Sequence, residues 1–405
     1  MVIGIDASRA NKDFKTGTEW YSYYLIKNLI EIDRKNKYIL YSNGPLQESF
    51  LQDLNLEKNT NVKIRVLKWP FRFLWTLGRL SLEMIFRSPD VLFVPAHSLP
   101  FFFPRKTINT IHDIAFVKND GLYDKDVSCD NSKSNDRIIN IIVKFLTFGK
   151  YCFKLTDHLN WSTRFAVKKA RRIIAVSNFT KKELLSTYKK ARDNRIAVVH
   201  NGYNNNIYRK IEDEGKMKDV LSKYGIEEPF FLYVGRVEKK KNILNLIEGF
   251  AILKENNKEI KEKLVLIGSA GFGYDNIKYL IEELGVDNNV LMLGWTEEQD
   301  LPYIFNKARA FVFPSFYEGF GIPILQSMAC GAPVLLSDIE VFREVAQDSA
   351  LFFDHLDPVD IALKMDKIIN EPDLRKKISE RGLIRASEFS WKKCAQETLI
   401  VIEST

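Results

Sequence analysis

A repeated alternation of short apolar, β-prone runs with amphipathic helical segments is the feature that most constrains the fold. In the first half the runs lie at 2–5, 38–42, 62–67, 90–95, 107–113, 172–177 and 196–203. In the second half they lie at 230–236, 263–268, 289–295, 308–315, 332–337 and 350–353. Strands that alternate with helices form parallel sheets covered on both faces. The sequence therefore predicts an α/β fold with two doubly wound, Rossmann-like domains.

A polar, charged stretch separates the two series of strands. The chain has 405 residues, which is more than one ordinary hydrophobic core contains. The stretch at 204–219 lacks the apolar runs found on either side of it. We therefore expect domains at 1–205 and 206–385, followed by a terminal helical segment at 386–405.

The net charge of the chain indicates which kinds of molecule it binds. The formal net charge is +8, which favours anionic partners such as phosphorylated substrates, anionic lipid surfaces or nucleic acid. Charge alone does not choose among these three. Because no recognisable nucleic-acid-binding motif accompanies the basic residues, we do not expect nucleic acid to be a partner.

Cysteine usage and hydropathy indicate the compartment. The four cysteines, Cys129, Cys152, Cys330 and Cys394, lack the paired spacing of a metal site, which predicts free thiols in a reducing compartment. The first residues read as a buried strand instead of a signal peptide, and no apolar run is long enough to span a bilayer. These features predict a cytoplasmic protein.

Residues 311–337 combine a buried strand, a glycine-bearing loop, a short helix and another buried strand. Free amides at the start of a helix suit an anionic phosphate. Gly319 and Gly321 allow a ligand to approach the main chain closely, Glu318 stands at the rim of the same loop, and Gln326 lies within the helix. The alternative is an ordinary strand-to-helix turn of an α/β domain.

Two basic residues follow the first strand of the second half. Arg236 comes at the strand end and Lys241 at the start of the next helix. An arginine makes bidentate contacts to phosphate and a lysine adds a compact charge, so the pair suits a diphosphate that leaves with extra negative charge. Because Lys239 and Lys240 adjoin them, a solvated basic loop is the alternative.

Two further candidates lie in the first half. His112, followed by Asp113, comes at a strand end, where an imidazole can hydrogen-bond a sugar hydroxyl or relay a proton. Gly17 stands at the entry to the first helix, where a glycine admits a ligand to the backbone. A structural His-Asp pair and a simple turn are the respective alternatives.

These segments together resemble a known family. The motifs are GTEWYSYYL, TIHDIAF, RIIAVSNFTKKEL, VVHNGYN, YVGRVEKKKNI, LGW and, most specifically, FYEGFGIPILQSMACGAPVLLSD. They are similar to the retaining, nucleotide-sugar-dependent glycosyltransferases of the GT-B fold, which include glycogen synthase, sucrose synthase and bacterial polysaccharide mannosyltransferases. IGIDAS, HSLP and TIHDIAF resemble the O-antigen mannosyltransferase branch most closely. The resemblance covers nearly the whole chain and implies two domains facing each other across a cleft, with a terminal helix that crosses back to the first.

The resemblance also implies a role for each candidate residue. Arg236 and Lys241 bind the donor diphosphate, and Glu318 contacts hydroxyls of the donor sugar. His112 lies beside the transferred sugar, and Gly17 approaches the phosphate. The backbone amides of Gly319, Phe320 and Gly321 contact the sugar and the phosphate. Gln326 departs from the family, which usually has a glutamate there for the ribose hydroxyls. Because the Gln326 amide is uncharged, we expect it to bind the donor more weakly than a glutamate would. The alternative is that the chain is an inactive relative of the family.

The implied activity is transfer of a hexose, with mannose favoured, to a surface polysaccharide or lipid-linked glycan. The donor is GDP-mannose or a UDP-sugar, and the implied scheme is retaining and uses no metal and no other cofactor. A D-x-D at Asp124–Asp126 lies in an irregular polar tract, so we do not expect it to hold a metal. A nucleotide-sugar 2-epimerase of the same fold and a catalytically silent sugar-nucleotide-binding protein are the alternatives.

A basic and aromatic segment at 63–87 indicates what kind of acceptor the chain uses. Lysines and arginines interleave there with Trp69, Phe71, Phe73 and Trp75. This composition suits an anionic lipid surface or a lipid-linked acceptor. The alternative is a surface helix with one face in the core. The first interpretation predicts peripheral contact with the inner face of the plasma membrane.

Overall fold

The computed structural model of the protein describes residues 1–69, 75–118, 120–122 and 155–405. The chain divides into two compact units, unit 1 with Met1–Gly202 and Trp391–Thr405, and unit 2 with Tyr203–Ser390. Each unit is built on one parallel sheet. The predicted α/β class with two Rossmann-like domains is confirmed.

Unit 1 contains a seven-stranded sheet in the order β3-β2-β1-β4-β5-β6-β7. Its strands are β1 Val2–Asp6, β2 Lys37–Ser42, β3 Val62–Val66, β4 Val91–Val94, β5 Thr107–Ile111, β6 Arg172–Ala175 and β7 Ile196–Val198. Its helices are α1 Gly17–Ile32, α2 Glu48–Leu54, α3 Ser81–Phe86, α4 Ala115–Lys118, α5 Leu155–Lys169 and α6 Asn178–Thr187. A π-helix, Trp75–Leu80, leads directly into α3.

Unit 2 contains a six-stranded sheet in the order β10-β9-β8-β11-β12-β13. Its strands are β8 Phe230–Val234, β9 Lys263–Ile267, β10 Val290–Gly294, β11 Ala310–Phe313, β12 Val334–Ser337 and β13 Leu351–Phe353. Its helices are α7 Glu214–Lys223, α8 Ile243–Asn256, α9 Tyr274–Glu283, α10 Leu301–Lys307, α11 Ile322–Ala329, α12 Glu340–Ala346, α13 Pro358–Asn370 and α14 Pro372–Ser387. The last helix, α15 Trp391–Glu403, belongs to unit 1.

Buried strands explain why the sequence shows unbroken apolar runs. Every residue of β4, β8 and β11 is buried, as expected for central strands with helices on both faces. In unit 1 the terminal helix packs on α1, where the Trp391 ring stacks on Tyr24 at 5.6 Å between centroids. The same indole meets Tyr21 edge-on at 5.9 Å. Aromatic packing therefore fixes the chain's last helix to unit 1.

The strand order reverses once in each sheet, and these points locate the candidate residues. In unit 1 the reversal lies between β1 and β4, and in unit 2 between β8 and β11. In open parallel sheets, ligands bind beyond the carboxyl ends of the strands at such a reversal. The loops after β8 and β11 carry Arg236 and Glu318, and the loop after β1 leads to Gly17.

The structure can be compared with the predictions made for the domain boundaries, the cysteines and the membrane spans. The structure divides the units after Gly202, and helix α14 extends through Ser387, so the terminal helix begins at Trp391 instead of 386. Cys330 and Cys394 are free and buried. No helix in the described ranges has the length and hydropathy needed to span a membrane. Phe71, Phe73, Asp124–Asp126, Cys129 and Cys152 lie outside the described residues.

Candidate functional site

An ion pair lies at the strand-order reversal of unit 2. The Lys241 ammonium donates to Oε1 of Glu318, and the Ser315 hydroxyl donates to the same oxygen at 2.9 Å. The two charged side chains are only 16% and 11% exposed. Because the pair is largely removed from water, salt screens it weakly. Glu318 is thus held in one orientation by a charge and a hydroxyl.

The backbone around Lys241 is fixed independently of that ion pair. Asn242 adopts a left-handed conformation (φ 57°) directly before α8, and its side-chain amide donates to the His355 carbonyl at 2.7 Å. The Lys240 carbonyl accepts from the Phe316 N–H at 3.2 Å, which ties the loop after β8 to the loop after β11. The Lys241 ammonium also stands 5.5 Å from the Phe313 ring centroid, within cation–π range.

Arg236 is an exposed cation at this edge. Its side chain is 58% exposed, and its Nε lies 3.6 Å from a carboxylate oxygen of Glu238. Exposed pairs of this kind contribute little, so Glu238 competes only weakly with a phosphate for the guanidinium. Tyr233 fixes the main chain here, because its hydroxyl donates to the Arg236 carbonyl at 2.9 Å. Burial raises the pKa of Tyr233 well above its ordinary value, with the Glu318 and Glu238 charges adding to it.

The loop before α11 requires a glycine at its last position. Gly321 caps the helix with φ 98°, and a Cβ there would lie 2.9 Å from Cδ1 of Ile324. The Phe320 ring is buried and meets Phe389 edge-on at 5.9 Å, which anchors the loop to the segment that follows α14. Gln326 lies in the second turn of α11 and is half-buried. The helix therefore starts directly after the glycine loop, as the sequence predicts, whereas the contact of these backbone amides with a phosphate stays a prediction.

His112 follows β5 in unit 1 and is held by neutral groups. Its Nε2 donates to the Pro95 carbonyl at 3.2 Å, and its backbone N–H donates to Nε2 of His97 at 3.2 Å. The Tyr21 ring meets the imidazole edge-on at 4.7 Å. Burial lowers the pKa of His112, although the contact with Pro95 and the Asp113 charge oppose this. The imidazole is therefore neutral near pH 7, which favours a polar contact over a charged one.

Gly17 is the first residue of α1 and lies at the surface. A Cβ built on it meets no atom within 4 Å. The helix start is fixed by the neighbouring residues, since the Thr16 N–H donates to Oε2 of Glu19 at 3.3 Å. The fold thus does not itself require a glycine at this position, unlike at Gly321.

The structure brings one group of predicted residues together and leaves the others elsewhere. Arg236, Lys241, Glu318 and the start of α11 share the carboxyl edge of the unit 2 sheet. His112 and Gly17 belong to unit 1. The prediction that all of them act on one ligand stays a prediction.

Comparison with known families identifies the chain's relatives. The model for glycosyl transferases group 1 matches residues 217–385, and the model for Glycosyltransferase Family 4 matches residues 15–206. The chain belongs to the GT-B glycosyltransferases. The resemblance to glycosyltransferases of the GT-B fold is therefore confirmed, and the retaining chemistry that it implies stays a prediction.

Two curated relatives of this glycosyltransferase carry mannosyl in their names. O-antigen chain mannosyltransferase B of Escherichia coli is 31% identical over 243 residues, which cover 60% of this chain and 63% of that protein. Mannosylfructose-phosphate synthase of Agrobacterium fabrum is 29% identical over 216 residues, which cover 51% of this chain and 47% of that protein. The chain thus spans less than two thirds of the length of these relatives.

A solved structure supports the fold of the glycosyltransferase over its whole length. Anabaena Alr3699/HepE in complex with UDP and glucose superposes with a TM-score of 0.68, at 17% identity, over 100% of this chain and 99% of that one. At this level of identity the likeness concerns the fold. It agrees with the GT-B architecture predicted from the sequence.

Two residues of this glycosyltransferase were not singled out from the sequence. Ser315 is fully buried and holds Glu318, and His97 follows β4 at the unit 1 reversal, where its Nδ1 lies 3.3 Å from the Thr163 hydroxyl. Their position directly after a central strand is the signal that could have found them. Within the described residues, no cluster of three or more histidines, cysteines and carboxylates is arranged to hold a metal.

Proposed function

We propose that this glycosyltransferase transfers a hexose, mannose in the favoured case, from a nucleoside-diphosphate sugar to a surface polysaccharide or lipid-linked glycan. The observation that carries the proposal is the Lys241–Glu318 pair at the strand-order reversal, beside Arg236 and the start of α11. This arrangement offers cations for a diphosphate and a fixed carboxylate for sugar hydroxyls. The mannosyl names of the two curated relatives support the choice of sugar.

The cations of unit 2 are proposed to bind the leaving diphosphate. Lys241 has three N–H donors, so it can keep its contact with Glu318 and still donate to phosphate. Arg236 adds a planar fork that matches two phosphate oxygens. As the bond between the anomeric carbon and the diphosphate oxygen breaks, its electron pair stays on that oxygen. Both cations stabilise the charge that develops there.

The reaction is proposed to proceed with retention and without a metal. The acceptor oxygen bonds to the anomeric carbon on the face that the diphosphate leaves. The acceptor's proton passes to the departing phosphate oxygen, so no protein nucleophile and no protein base is required. The positive charge at Arg236 and Lys241 supplies the electrostatic assistance that a divalent cation would otherwise give.

Glu318 and the loop before α11 are proposed to fix the donor. Oε1 of Glu318 accepts from Lys241 and Ser315, and its carboxylate has further lone pairs for hydroxyls of the sugar. The amides of Gly319, Phe320 and Gly321 would donate to sugar and phosphate oxygens. Gln326 would hydrogen-bond the ribose hydroxyls, without the charge assistance that a glutamate would give.

For unit 1 we propose contacts that need no charge. The neutral imidazole of His112 would hydrogen-bond a hydroxyl of the transferred sugar through its Nδ1, since its Nε2 donates to Pro95. The open space at Gly17 would allow a phosphate close to the backbone. We further propose that the enzyme works on the cytoplasmic side of an anionic membrane.

A donor panel tests the proposal. The protein is incubated with GDP-mannose, GDP-fucose, UDP-glucose and UDP-N-acetylglucosamine, and release of nucleoside diphosphate is followed beside calorimetric binding. We expect release with GDP-mannose above the other donors. Interconversion of the donor into its 2-epimer would favour the epimerase. Tight binding with no turnover of any donor would overturn the enzymatic proposal in favour of a silent binding protein. The anomeric configuration of the product, read by NMR, tests retention.

A further inference from the structure

Five apolar side chains form an exposed surface on unit 1, which we name the α3 surface. Leu82, Ile85 and Phe86 on α3 are 46%, 50% and 79% exposed, and Phe101 and Phe102 are 43% and 60% exposed. Side chains of this size rarely stay in water without a partner when they are contiguous.

One serine brings the two segments that carry these side chains together. Ser81, the first residue of α3, accepts from the backbone N–H of Phe101 at 2.7 Å and of Phe102 at 3.4 Å. Leu82, Ile85 and Phe86 have the i, i+3, i+4 spacing that places side chains on one face of a helix. The segment at 101–102 therefore lies at the start of the same helix face.

The opposite face of α3 is anchored, so the exposed residues are presented on a rigid support. Met84 is buried, and the buried Glu83 carboxylate pairs with Arg65 at 2.7 Å. The preceding π-helix is held by the Trp75 indole N–H, which donates to Asp6 at 3.1 Å. The Phe101 ring is held on its inner side by aromatic contacts, with centroid distances of 5.8 Å to Trp161 and 6.2 Å to Phe165.

Exposed basic residues adjoin this apolar surface. Strands β4, β5 and β6 are neighbours in the sheet, and basic residues precede each of them. The Lys106 carbonyl accepts from the Leu92 N–H at 3.0 Å and the Arg171 N–H donates to the Thr107 carbonyl at 2.8 Å, so these strand starts lie side by side. The exposed basic residues of this edge are Arg87, Arg105, Lys106, Lys168, Lys169 and Arg171.

We propose that the α3 surface docks on an anionic lipid bilayer, with the apolar side chains among the acyl chains and the basic residues at the headgroups. The inference deepens the proposed function, because it names the surface that would bring the enzyme to a lipid-linked acceptor. Apolar side chains beside lysine and arginine are the pattern of interfacial membrane binding. A second copy of the chain fits less well, since the basic edges of two copies would repel. Nucleic acid would leave the apolar face in water.

Vesicle flotation with the full-length protein tests this surface. One set of vesicles contains phosphatidylglycerol and phosphatidylcholine, and the other phosphatidylcholine alone. We expect binding to the anionic vesicles that weakens at least severalfold in about 0.5 M salt, where the Debye length is only a few ångströms. The double variant Ile85→Asp/Phe86→Asp should lose at least about tenfold in vesicle affinity, since it places charges among acyl chains.

Matched variants keep the test specific. Ile400→Asp changes an apolar residue that is also exposed, at 65%, on another helix of unit 1, and it should bind vesicles like the wild type. Arg105→Glu/Lys106→Glu should weaken binding to anionic vesicles, whereas Lys58→Glu, an exposed residue before β3, which lies three strands from β4 in the sheet, should not. Thermal unfolding of each variant confirms that the fold is retained, because all these positions are exposed.

The outcomes separate this inference from the proposed function. Release of nucleoside diphosphate without vesicles should be equal in the wild type and in Ile85→Asp/Phe86→Asp. Wild-type turnover without any vesicle binding would overturn the docking surface and leave the enzyme proposal intact. Equal vesicle binding by Ile400→Asp and Ile85→Asp/Phe86→Asp would also overturn it. A dimer in sedimentation that the double variant abolishes would assign the surface to a second copy instead.

Discussion

A candidate side chain follows the carboxyl end of β5 and another follows that of β11. Different kinds of contact hold the two side chains in place. After β5, His112 is held by a carbonyl, a second imidazole and an aromatic ring edge. After β11, Glu318 is held by an ammonium and a hydroxyl on one oxygen. The hydrogen bonds at His112 come from neutral groups, whereas those at Glu318 include an ion pair.

Under the proposed function, this difference corresponds to different roles for the two units. Charge that develops during transfer lies on the diphosphate, so the residues that stabilise it must be charged when the donor binds. A residue that only orients a hydroxyl needs no charge, and burial keeps His112 neutral. We therefore expect substitutions in unit 2 to act on the rate of bond breaking, and those in unit 1 to act mainly on orientation.

The largest effect is expected for Glu318→Gln, which keeps the shape of the side chain and removes its charge. Turnover should fall by about 10²- to 10³-fold, the range typical for loss of one preorganised electrostatic contact. Binding of the nucleoside diphosphate alone should change by less than about threefold, because Lys241 and Arg236 both remain to donate to its phosphates. Release of nucleoside diphosphate from GDP-mannose and calorimetry measure the two quantities.

Glu262→Gln is the matched control for that substitution. Glu262 is likewise buried in unit 2, and its carboxylate lies 3.1 Å from Arg309, away from the reversal. This variant should lose stability and keep its turnover. If both variants lost turnover equally, the effect would belong to the stability of unit 2 and the role assigned to Glu318 would be wrong.

His112→Gln should reduce kcat by about tenfold, at the low end of the effects of side-chain catalytic contacts, and leave nucleotide affinity unchanged.

The pH dependence of stability tests the role of His112 more directly. Because burial lowers the pKa of His112 below its ordinary 6.5, the unfolded chain takes up this proton first as the pH falls. The stabilising effect of the neutral imidazole is thus present above about pH 6.5 and is lost as the pH falls below it.

Urea unfolding at pH 7.5 and pH 5.5 measures this dependence. The wild type should lose more stability between these values than His112→Gln, by at most about 1.4 kcal/mol per pH unit for one group. Above pH 7.5 the two should change in parallel. If the variant lost more stability than the wild type at pH 5.5, His112 would be protonated in the folded protein. The difference in charge between His112 and Glu318 as the basis of their roles would then be wrong.

Ser315→Ala tests whether the hydroxyl positions Glu318. We expect kcat to fall about three- to tenfold with little change in KM for the donor, and stability to fall by about 1 kcal/mol for one lost hydrogen bond. Ser327→Ala is the control, since Ser327 is also fully buried and its hydroxyl contacts the Ala332 carbonyl instead. A kcat decrease of the same size in both variants would make Ser315 a packing residue only.

The smallest effect is expected for Gln326→Glu. Charge assistance to the ribose hydroxyls should tighten donor binding by about two- to fivefold, because charged acceptors make stronger hydrogen bonds than amides. Gln396→Glu, at an exposed position of α15, should leave binding unchanged. Neutral or weaker binding in Gln326→Glu would argue that α11 does not contact the ribose.

The strands and their α/β class could be predicted from the sequence because buried parallel strands produce unbroken apolar runs. Every predicted run overlaps an observed strand, from β1 to β13. The order of the strands could not be predicted, since it depends on long-range pairing, such as that of β1 with both β2 and β4. The positions of the two reversals follow from that order.

The candidate residues could be predicted one by one, but their contacts could not. Lys241 and Glu318 are separated by 77 positions, and the motifs assign them to different parts of the donor. Only the pairing of β8 with β11 brings their loops together. His97 was missed because it follows β4 without a neighbouring glycine or charge to mark it.

A crystal structure with GDP-mannose bound to the full chain tests the central claim most directly. We expect an oxygen of the diphosphate about 3 Å from the Lys241 ammonium, with a sugar hydroxyl donating to Glu318. Arg236 should contact the same diphosphate. A donor bound elsewhere, with Lys241 contacting only Glu318 and no phosphate, would contradict the account.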